Sequence, residues 1–392
     1  MSALAWPLGL FAVLLLVPAL VLFVQVVLAW LPARRLVALA GRRPPLAVLM
    51  PAHNEAAVIA GTLASIVPQL QAGDRLLVVA DNCDDDTARI ARDAGAEVIE
   101  RQNAQQRGKG YALDFGVRHL ESAPPDVVII VDADCRIGPE AIDWLTRISH
   151  QSERPVQALY LMGTVGNAGF RQQFAEFAWR VKNWVRPLGY HRLGLPCQLM
   201  GTGMAFPWVS IRDAKLANAN IVEDMKLGVD LAVSGKPALF CPEAHVSSTF
   251  PETASAEQSQ RTRWEHGHLE VILKEFPRLF GRGMLRGDIR AMALALDLAV
   301  PPLALLVLSL SGMCATTGVV ASIGGGMFPL LVAGLAMALV GVAVFLAWLG
   351  WGRAVISLST LLSVPFYVLA KIPLYIRFWT RRQKEWVRTE RD

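Results

Sequence analysis

Cysteine is sparse and unpatterned in this chain: residues 83, 135, 197, 241 and 314 stand far apart, with neither a C-x-x-C pair nor a zinc-type spacing. That argues against a disulfide framework and against a structural zinc, and it fits a reducing compartment. No G-x-G-x-x-G follows the first apolar strand, and Arg107-Gly108-Lys109-Gly110 does not complete a G-x-x-x-x-G-K-[ST] loop, so the dinucleotide fingerprint and the Walker A loop are both missing. Charge is scarce as well. Only 18% of the 392 residues are charged against 53% hydrophobic, too apolar for a purely soluble protein. Between Leu8 and Leu31 charge is missing altogether, over the length needed to cross a bilayer. That stretch has no positive n-region and no small-residue cleavage site, so residues 1–33 read as a retained anchor rather than a secretory signal.

What charge there is lies beside the apolar runs. Arg34, Arg35, Arg42 and Arg43 follow the first run, which places that side in the cytoplasm and the N-terminus outside. More arginine and lysine crowd the segment after Phe276 and the C-terminal tail, and together they account for most of the net charge of +5. Basic flanks of membrane spans are better matched to anionic lipid head groups than to nucleic acid, and no nucleic-acid partner is expected.

The stretch Val127-Val-Ile-Ile-Val-Asp132-Ala-Asp134 organises the middle of the chain. Five β-branched residues without a polar break read as a fully buried parallel strand. Carboxylates just past the C-terminal end of such a strand sit where open α/β sheets bind ligands. If strand geometry persists, Asp132 and Asp134 point to one side and together face a hard cation. The other reading is that they cap the helix begun by Gly138-Pro139-Glu140. Before this strand, short apolar runs (46–50, 76–80, 97–100) alternate with helical stretches (56–67, 87–94), the pattern of βαβ units and a mostly parallel sheet. Polar residues gather after the strands: His53-Asn54-Glu55 after the first, and Asp81 with its neighbours after the second. Arg107-Gly108-Lys109-Gly110 opens a helix, where an ammonium, backbone N–H groups and the helix dipole all favour a phosphate; a solvated turn is the bland alternative.

Farther on, Gly201 to Phe206 carries two glycines suited to close approach or to a tight turn, and Glu223-Asp224 precedes an amphipathic helix that an acid pair also stabilises through the dipole. Gln260, Arg263 and Trp264, at i, i+3 and i+4, share one helical face. An amide, a guanidinium and an indole together suit phosphate contact plus stacking. His245, His266 and His268 read more naturally as satisfied polar residues than as ligands. Residues 276–292 resemble a helix lying on the membrane surface, and 293–379 hold apolar segments: Ala291 to about Val320 as one span, Met327 to Gly350 as another, then a Pro-interrupted run read as a re-entrant hairpin. Residues 380–392 form a basic cytoplasmic tail.

In this order the motifs resemble the membrane-bound family 2 glycosyltransferases, the inverting group that includes cellulose, chitin and hyaluronan synthases, poly-N-acetylglucosamine synthases and ceramide glucosyltransferase. The resemblance implies an α/β fold of GT-A type, a nucleotide-sugar-binding domain with a mostly parallel sheet at residues 45–275, flanked by α-helical transmembrane segments at both ends. It implies that Asn54, Glu55, Asp81, Lys109 and Asp132 meet the nucleotide sugar, with Gln260, Arg263 and Trp264 as the Q-x-x-R-W signature. Asp132 and Asp134 become the D-x-D acids on Mg²⁺ or Mn²⁺, and Asp224 the catalytic base, with Glu223 the second catalytic acid or else the cap of the following helix. The expected reaction is inverting transfer from a nucleotide-sugar donor, UDP-linked as the first choice, to a lipid-linked or glycan acceptor at the cytoplasmic face of the cell inner membrane. One anchor plus two or three later segments is thin for a self-contained channel. A processive polysaccharide synthase, completed by a homo-oligomer or an export partner, is the alternative.

Overall fold

The computed structural model describes residues 5–32, 41–164, 169–217, 222–251 and 253–380. Arg34 and Arg35, and most of the basic tail, lie outside them. The first helix, α1 (Ala5–Ala29), leads to a strand β1 (Leu46–Ala52), α2 (Ile59–Ile66), β2 (Arg75–Asp81), α3 (Thr87–Asp93) and β3 (Glu97–Arg101). Then come α4 (Lys109–Leu120), β4 (Val127–Ile130), β5 (Arg136–Ile137), α5 (Ala141–Ser152) and β6 (Val156–Gly163). These boundaries match the alternation read from the sequence to within a few residues.

The eight strands form one sheet in the order β3-β2-β1-β4-β7-β6-β8-β5, where β7 is Met204–Pro207 and β8 is Leu239–Thr249. The half from β3 to β4 is parallel, whereas β7 runs antiparallel to both β4 and β6. Because β2 lies on one side of β1 and β4 on the other, the chain reverses its direction of winding there, and the crevice at that switch point is where such sheets bind ligands. The uninterrupted apolar runs follow from burial of both faces. Leu46, Val48, Met50, Val127 and Ile129 enter one core, while Ala47, Leu49, Val128 and Ile130 enter the other.

Close packing sets α4 on the sheet. A Cβ at Gly116 would lie 2.4 Å from Leu49 Cδ1 and 3.0 Å from Val79 Cγ2, so a larger residue would push the helix off. Seated this way, α4 brings its N-terminal Lys109 over the strand ends.

Helix α6 (Phe170–Arg180), a widened π-helical turn (Val181–Val185) and α7 (Arg186–Arg192) run beneath the sheet, followed by the short α8 (Trp208–Ile211) and by α9 (Glu223–Val233). Helix α10 (Ala254–Arg286) is a single 33-residue helix, so the separate surface helix expected at 276–292 is instead its last third plus the first turn of α11 (Ile289–Leu298). The single span expected from Ala291 is also divided. Pro301 and Pro302 withhold backbone donors and break it into α11 and α12 (Leu303–Ser322).

Among the described residues, three helices are long and apolar enough to cross a membrane: α1, α12, and α13 (Phe328–Ala347) prolonged by a wide turn to Gly352. The following run consists of short helices, α14 (Leu358–Leu361), α15 (Val364–Leu369) and α16 (Ile372–Thr380).

Helix α1 packs against α7 as well as α13, which ties the apolar helices to the sheet domain. A Cβ at Gly189 would fall 1.9 Å from the Gln25 carbonyl oxygen, so that contact requires glycine. Across it runs a buried polar network. Arg186 donates to Gln25 Oε1 at 3.0 Å and to Asp297 Oδ1 at 2.7 Å, and Gln25 Nε2 donates to the same Asp297 oxygen at 2.6 Å. Gln198 donates to the other Asp297 oxygen at 2.7 Å. A buried ion pair with all its oxygens engaged fixes one register between helices, while loss of one partner leaves the other charge uncompensated. Arg43, grouped with the membrane flank on sequence, is instead buried in the sheet domain, where it pairs with Asp74 and donates to the Gln69 carbonyl at 3.0 Å.

Candidate active site

A cavity of about 190 Å³ opens at the C-terminal ends of β1, β2 and β4. It gathers Asn54 and Glu55 from the loop after β1, Asp81 at the end of β2, Lys109 at the start of α4, Asp132 and Asp134 after β4, and Gln260 with Arg263 from α10. His53, Asn82 and Arg107 line it too. Eight of the residues singled out in the sequence thus converge, from five separate segments.

The carboxylate pair sits there for a different reason than alternation along a strand. Strand β4 stops at Ile130, and the N–H of Cys135 donates to the Asp132 carbonyl at 3.2 Å, so residues 132–135 form a turn. Both carboxylates nevertheless line the same cavity. Asp132 and Asp134 are not the cap of the next helix: the residue before α5 is Glu140, at φ 59°, and the first-turn N–H of Ile142 goes to Gln69 Oε1 at 3.4 Å.

Asp81 is buried and accepts from Arg101 at 2.7 Å and from Asn82 Nδ2 at 3.0 Å. The Arg101 guanidinium also lies 5.6 Å from the centre of the Tyr111 ring, so it is held from two sides.

Lys109 is the hinge of the site. Its ammonium pairs with Asp132 and donates to the Gly201 carbonyl at 2.7 Å. Burial alone disfavours its charge, but Asp132, Glu223 and Asp224 around it more than compensate and hold the ammonium firmly protonated. Glu223 and Asp224 open α9 on the far side, half-buried and outside the cavity that holds Asp132. Val222 is the N-cap residue and Glu223 the first helical one, so Glu223 is not the cap. Burial pushes the Glu223 carboxyl up to about 7, against the pull of Lys109 and with the help of Asp224. Asp224 is also raised, chiefly by burial, while Lys109 opposes the shift.

Gly201 has φ +92°, and a Cβ there would lie 3.5 Å from Asp224 Oδ2 and 3.9 Å from Lys109 Nζ. The backbone angle therefore calls for glycine, while a Cβ would meet the carboxylate and the ammonium at ordinary contact distance.

Two residues outside the expected set hold this loop under the acids. Thr202 accepts the Asp132 N–H on its hydroxyl at 3.0 Å, and the fully buried Gln157 donates to the Thr202 carbonyl at 2.9 Å while accepting the Met200 N–H at 2.8 Å. A glutamine inside the apolar run Val156 to Leu161 was the only signal for this in the sequence. The loop also includes Gln198, which reaches Asp297, so the acids and the membrane-side network share one short segment.

The Gln260-Arg263-Trp264 face divides between two spaces. Gln260 and Arg263 face the polar cavity, while Trp264 turns to a second cavity of about 170 Å³ between α6, α10 and the apolar helices. There its ring packs 5.0 Å from that of Trp179. The three histidines stay out of the polar cavity. His266 and His268 are buried and meet the carbonyls of Leu374 and Leu298, each at 3.2 Å, and His245 is exposed on β8. Burial drives His268 well below the usual imidazole range, so it is neutral.

Comparison with known proteins agrees with this geometry. Residues 44–267 match the family model "Glycosyltransferase like family 2". The chain is 28% identical over 250 residues to the probable glycosyltransferase YdaM of Bacillus subtilis, covering 60% of this chain and 58% of that one. It is 22% identical over 244 residues to poly-beta-1,6-N-acetyl-D-glucosamine synthase of Staphylococcus aureus, covering 58% and 55%. The chain thus spans little more than half the length of these relatives. Its backbone also follows the mannosyltransferase PcManGT of Pyrobaculum calidifontis, solved with GDP-Man and Mn2+, at a TM-score of 0.58 and 16% identity over 96% of this chain and 100% of that one. With the fold being that of a GT-A domain and the family model covering more than half of it, the chain belongs to glycosyltransferase family 2.

Proposed function

We propose that the protein transfers a sugar from a nucleotide-sugar donor, UDP-linked as the first expectation, to a lipid-anchored or lipid-linked envelope acceptor at the cytoplasmic face of the inner membrane, with inversion at the anomeric carbon. The observation that carries this reading is the placement of Lys109 between two sets of acids. On one side stand the strand-end carboxylates Asp132 and Asp134, on the other Asp224 at the head of α9. A nucleotide-sugar diphosphate needs the first set; an acceptor hydroxyl needs the second.

The residues present fit a divalent ion. Asp132 and Asp134 are hard oxygen donors on one cavity wall, and among the described residues no group of three His, Cys, Asp or Glu forms a closed ligand set. Two carboxylates, with the remaining positions left to donor phosphates and water, is the usual arrangement for Mg²⁺ or Mn²⁺ beside a diphosphate. Such an ion would supply charge to the leaving diphosphate.

Lys109 and Arg263 add positive charge to the same place, and the positive end of α4 adds its dipole. Asn54 and Asp81 lie at the strand ends, where they would meet the base and ribose. Asp224 takes the proton of the acceptor hydroxyl as its oxygen attacks the anomeric carbon. The bond to the diphosphate breaks with its electron pair, and the nucleoside diphosphate leaves. No second carboxylate nucleophile is called for, which agrees with inversion. The half-buried setting that raises Asp224 makes it a better base than an exposed aspartate.

A polymer product is the second reading, favoured by the relative named as a poly-beta-1,6-N-acetyl-D-glucosamine synthase. Three candidate spans leave little protein to enclose a growing chain, so that reading requires a second copy or an export partner. The deciding experiment supplies purified protein in nanodiscs with envelope lipid extract, Mn²⁺ and a panel of radiolabelled nucleotide sugars. Label in solvent-extractable lipid is expected; label only in high-molecular-weight material would move the assignment to the polymer reading.

A further inference from the structure

The second cavity holds a cation that the fold does not use. Its walls are largely apolar where they meet the membrane-side helices: Leu22 from α1, Val307 from α12, Val344 from α13 and Val368 from α15. Toward the sheet domain they turn polar, with Trp264, Lys182, Arg186, Arg261, Glu265 and Lys371. Most of these charges are engaged. Arg186 pairs with Asp297, Lys371 with Glu265, and Arg261 donates to the Tyr367 hydroxyl at 3.2 Å.

Lys182 differs. Among the described residues it makes no hydrogen bond and no ion pair, and its ammonium stands over the face of Trp179, 6.0 Å from the ring centre. It sits in the widened turn Val181–Val185, a distortion of helix geometry that recurs at functional sites. Burial lowers its pKa, and Asp224 is the group that opposes this most, so the ammonium and the catalytic-side carboxylate feel one another. A cation with no directly paired carboxylate at the polar end of an apolar slot gains when an anion arrives.

We infer that this cavity seats one anionic phospholipid, its phosphate paired with Lys182 and an acyl chain along α1, α12 and α15. The assignment of that lipid as the acceptor rests on the transfer reaction proposed above; the seating of the lipid does not. Several features favour an anionic lipid over a neutral one or a bare glycan. The slot joins four apolar helices to one unengaged cation. Trp264, at the junction, offers an aromatic face where head group meets chain. A glycan would find no run of hydrogen-bonding groups along Leu22, Val307 and Val344.

The test uses the full chain purified in detergent and native mass spectrometry with added palmitoyl-oleoyl phosphatidylglycerol and phosphatidylcholine. The wild type and Lys182→Arg are expected to retain one phosphatidylglycerol with roughly tenfold preference over phosphatidylcholine, and Lys182→Met to lose that preference, as expected for one charge-assisted contact. Equal retention of the two lipids by the wild type, or an unchanged preference in Lys182→Met, overturns the inference. If Lys182→Met does not fold, a phosphatidylglycerol with a diazirine on its acyl chain is photocrosslinked to the wild type. Adducts on α12 and α15 support the seat, and adducts elsewhere only overturn it. A separate arm follows radiolabelled sugar into the retained lipid. Label there supports its role as acceptor; a retained lipid without label overturns that role while the seat stands.

Discussion

The two cavities that meet along α10 are built on opposite principles. The polar one lies at strand ends, and apart from Gln260 and Arg263 on α10 its side chains are placed by the strand ends, turns and helix start of the parallel half of the sheet. The apolar one lies between helices from distant parts of the chain and owes its shape to packing, including a glycine contact and a network around Asp297. The first has several cations and carboxylates that largely neutralise one another, and the second has one unengaged cation. A charged, soluble guest suits the first cavity; an amphiphile arriving from a bilayer suits the second. Helix α10 serves both because Gln260 and Arg263 turn one way and Trp264 the other.

The largest expected effect is at the proposed proton acceptor, which lines neither cavity. Asp224→Asn removes the base and should lower sugar transfer by roughly 10³-fold, within the range expected for general-base loss, while nucleotide affinity stays within a few-fold of wild type. Transfer kinetics alongside nucleotide titration check both halves. A large loss of nucleotide affinity would mean that Asp224 belongs to the donor cavity instead. On the donor side, Lys109→Met should lower kcat/KM by about 10²-fold through lost charge on the leaving diphosphate, and should leave lipid retention unaltered. If lipid retention fell as well, the two cavities would be one functional unit. On the other side, Trp264→Leu should raise the acceptor KM about tenfold with donor KM unchanged, since its ring faces only the second cavity.

The smallest expected effect concerns pH. Glu223 is raised to about 7, so its folded state favours the protonated carboxyl. The stability it contributes is present at low pH and is lost as pH climbs through about 7. The melting temperature should therefore fall by a few degrees between about pH 5 and pH 8, and Glu223→Gln should flatten that slope. For Asp224 the same direction of shift affects rate. Transfer should fall on acidification at a pH above the ordinary aspartate range, because the base must be ionised.

Much of the polar cavity was legible because its residues follow directly from local pattern. The buried run Val127 to Val131 announced its strand, and the loops after the strands announced the ligand end of the sheet. The reason offered for Asp132 and Asp134 facing together was mistaken, since a turn and not a strand aligns them. Neither Thr202 nor Gln157 was foreseen. A buried amide that braces a distant loop leaves only a single polar letter in an apolar run, with no periodicity to mark it.

The apolar cavity was less legible still. Arg186, Gln25, Gln198 and Asp297 are separated by more than a hundred residues in places, and only the packed helices bring them together. Pro301 and Pro302 were visible as helix breakers, yet the run around them was apolar enough to read as one span. Hydropathy registers composition, whereas the break depends on missing backbone donors. Lys182, one cation in an aromatic helical stretch, carries no sequence signal apart from its neighbours.

The most direct measurement of the central claim is single-turnover transfer of a radiolabelled sugar by the full-length protein in nanodiscs with envelope lipid and Mn²⁺, comparing wild type with Asp224→Asn and monitoring nucleoside diphosphate release in parallel. The account predicts that label enters the lipid fraction together with nucleotide release in the wild type, and that both nearly vanish in the variant while it still binds nucleotide. Transfer by Asp224→Asn at a rate near that of the wild type would contradict it.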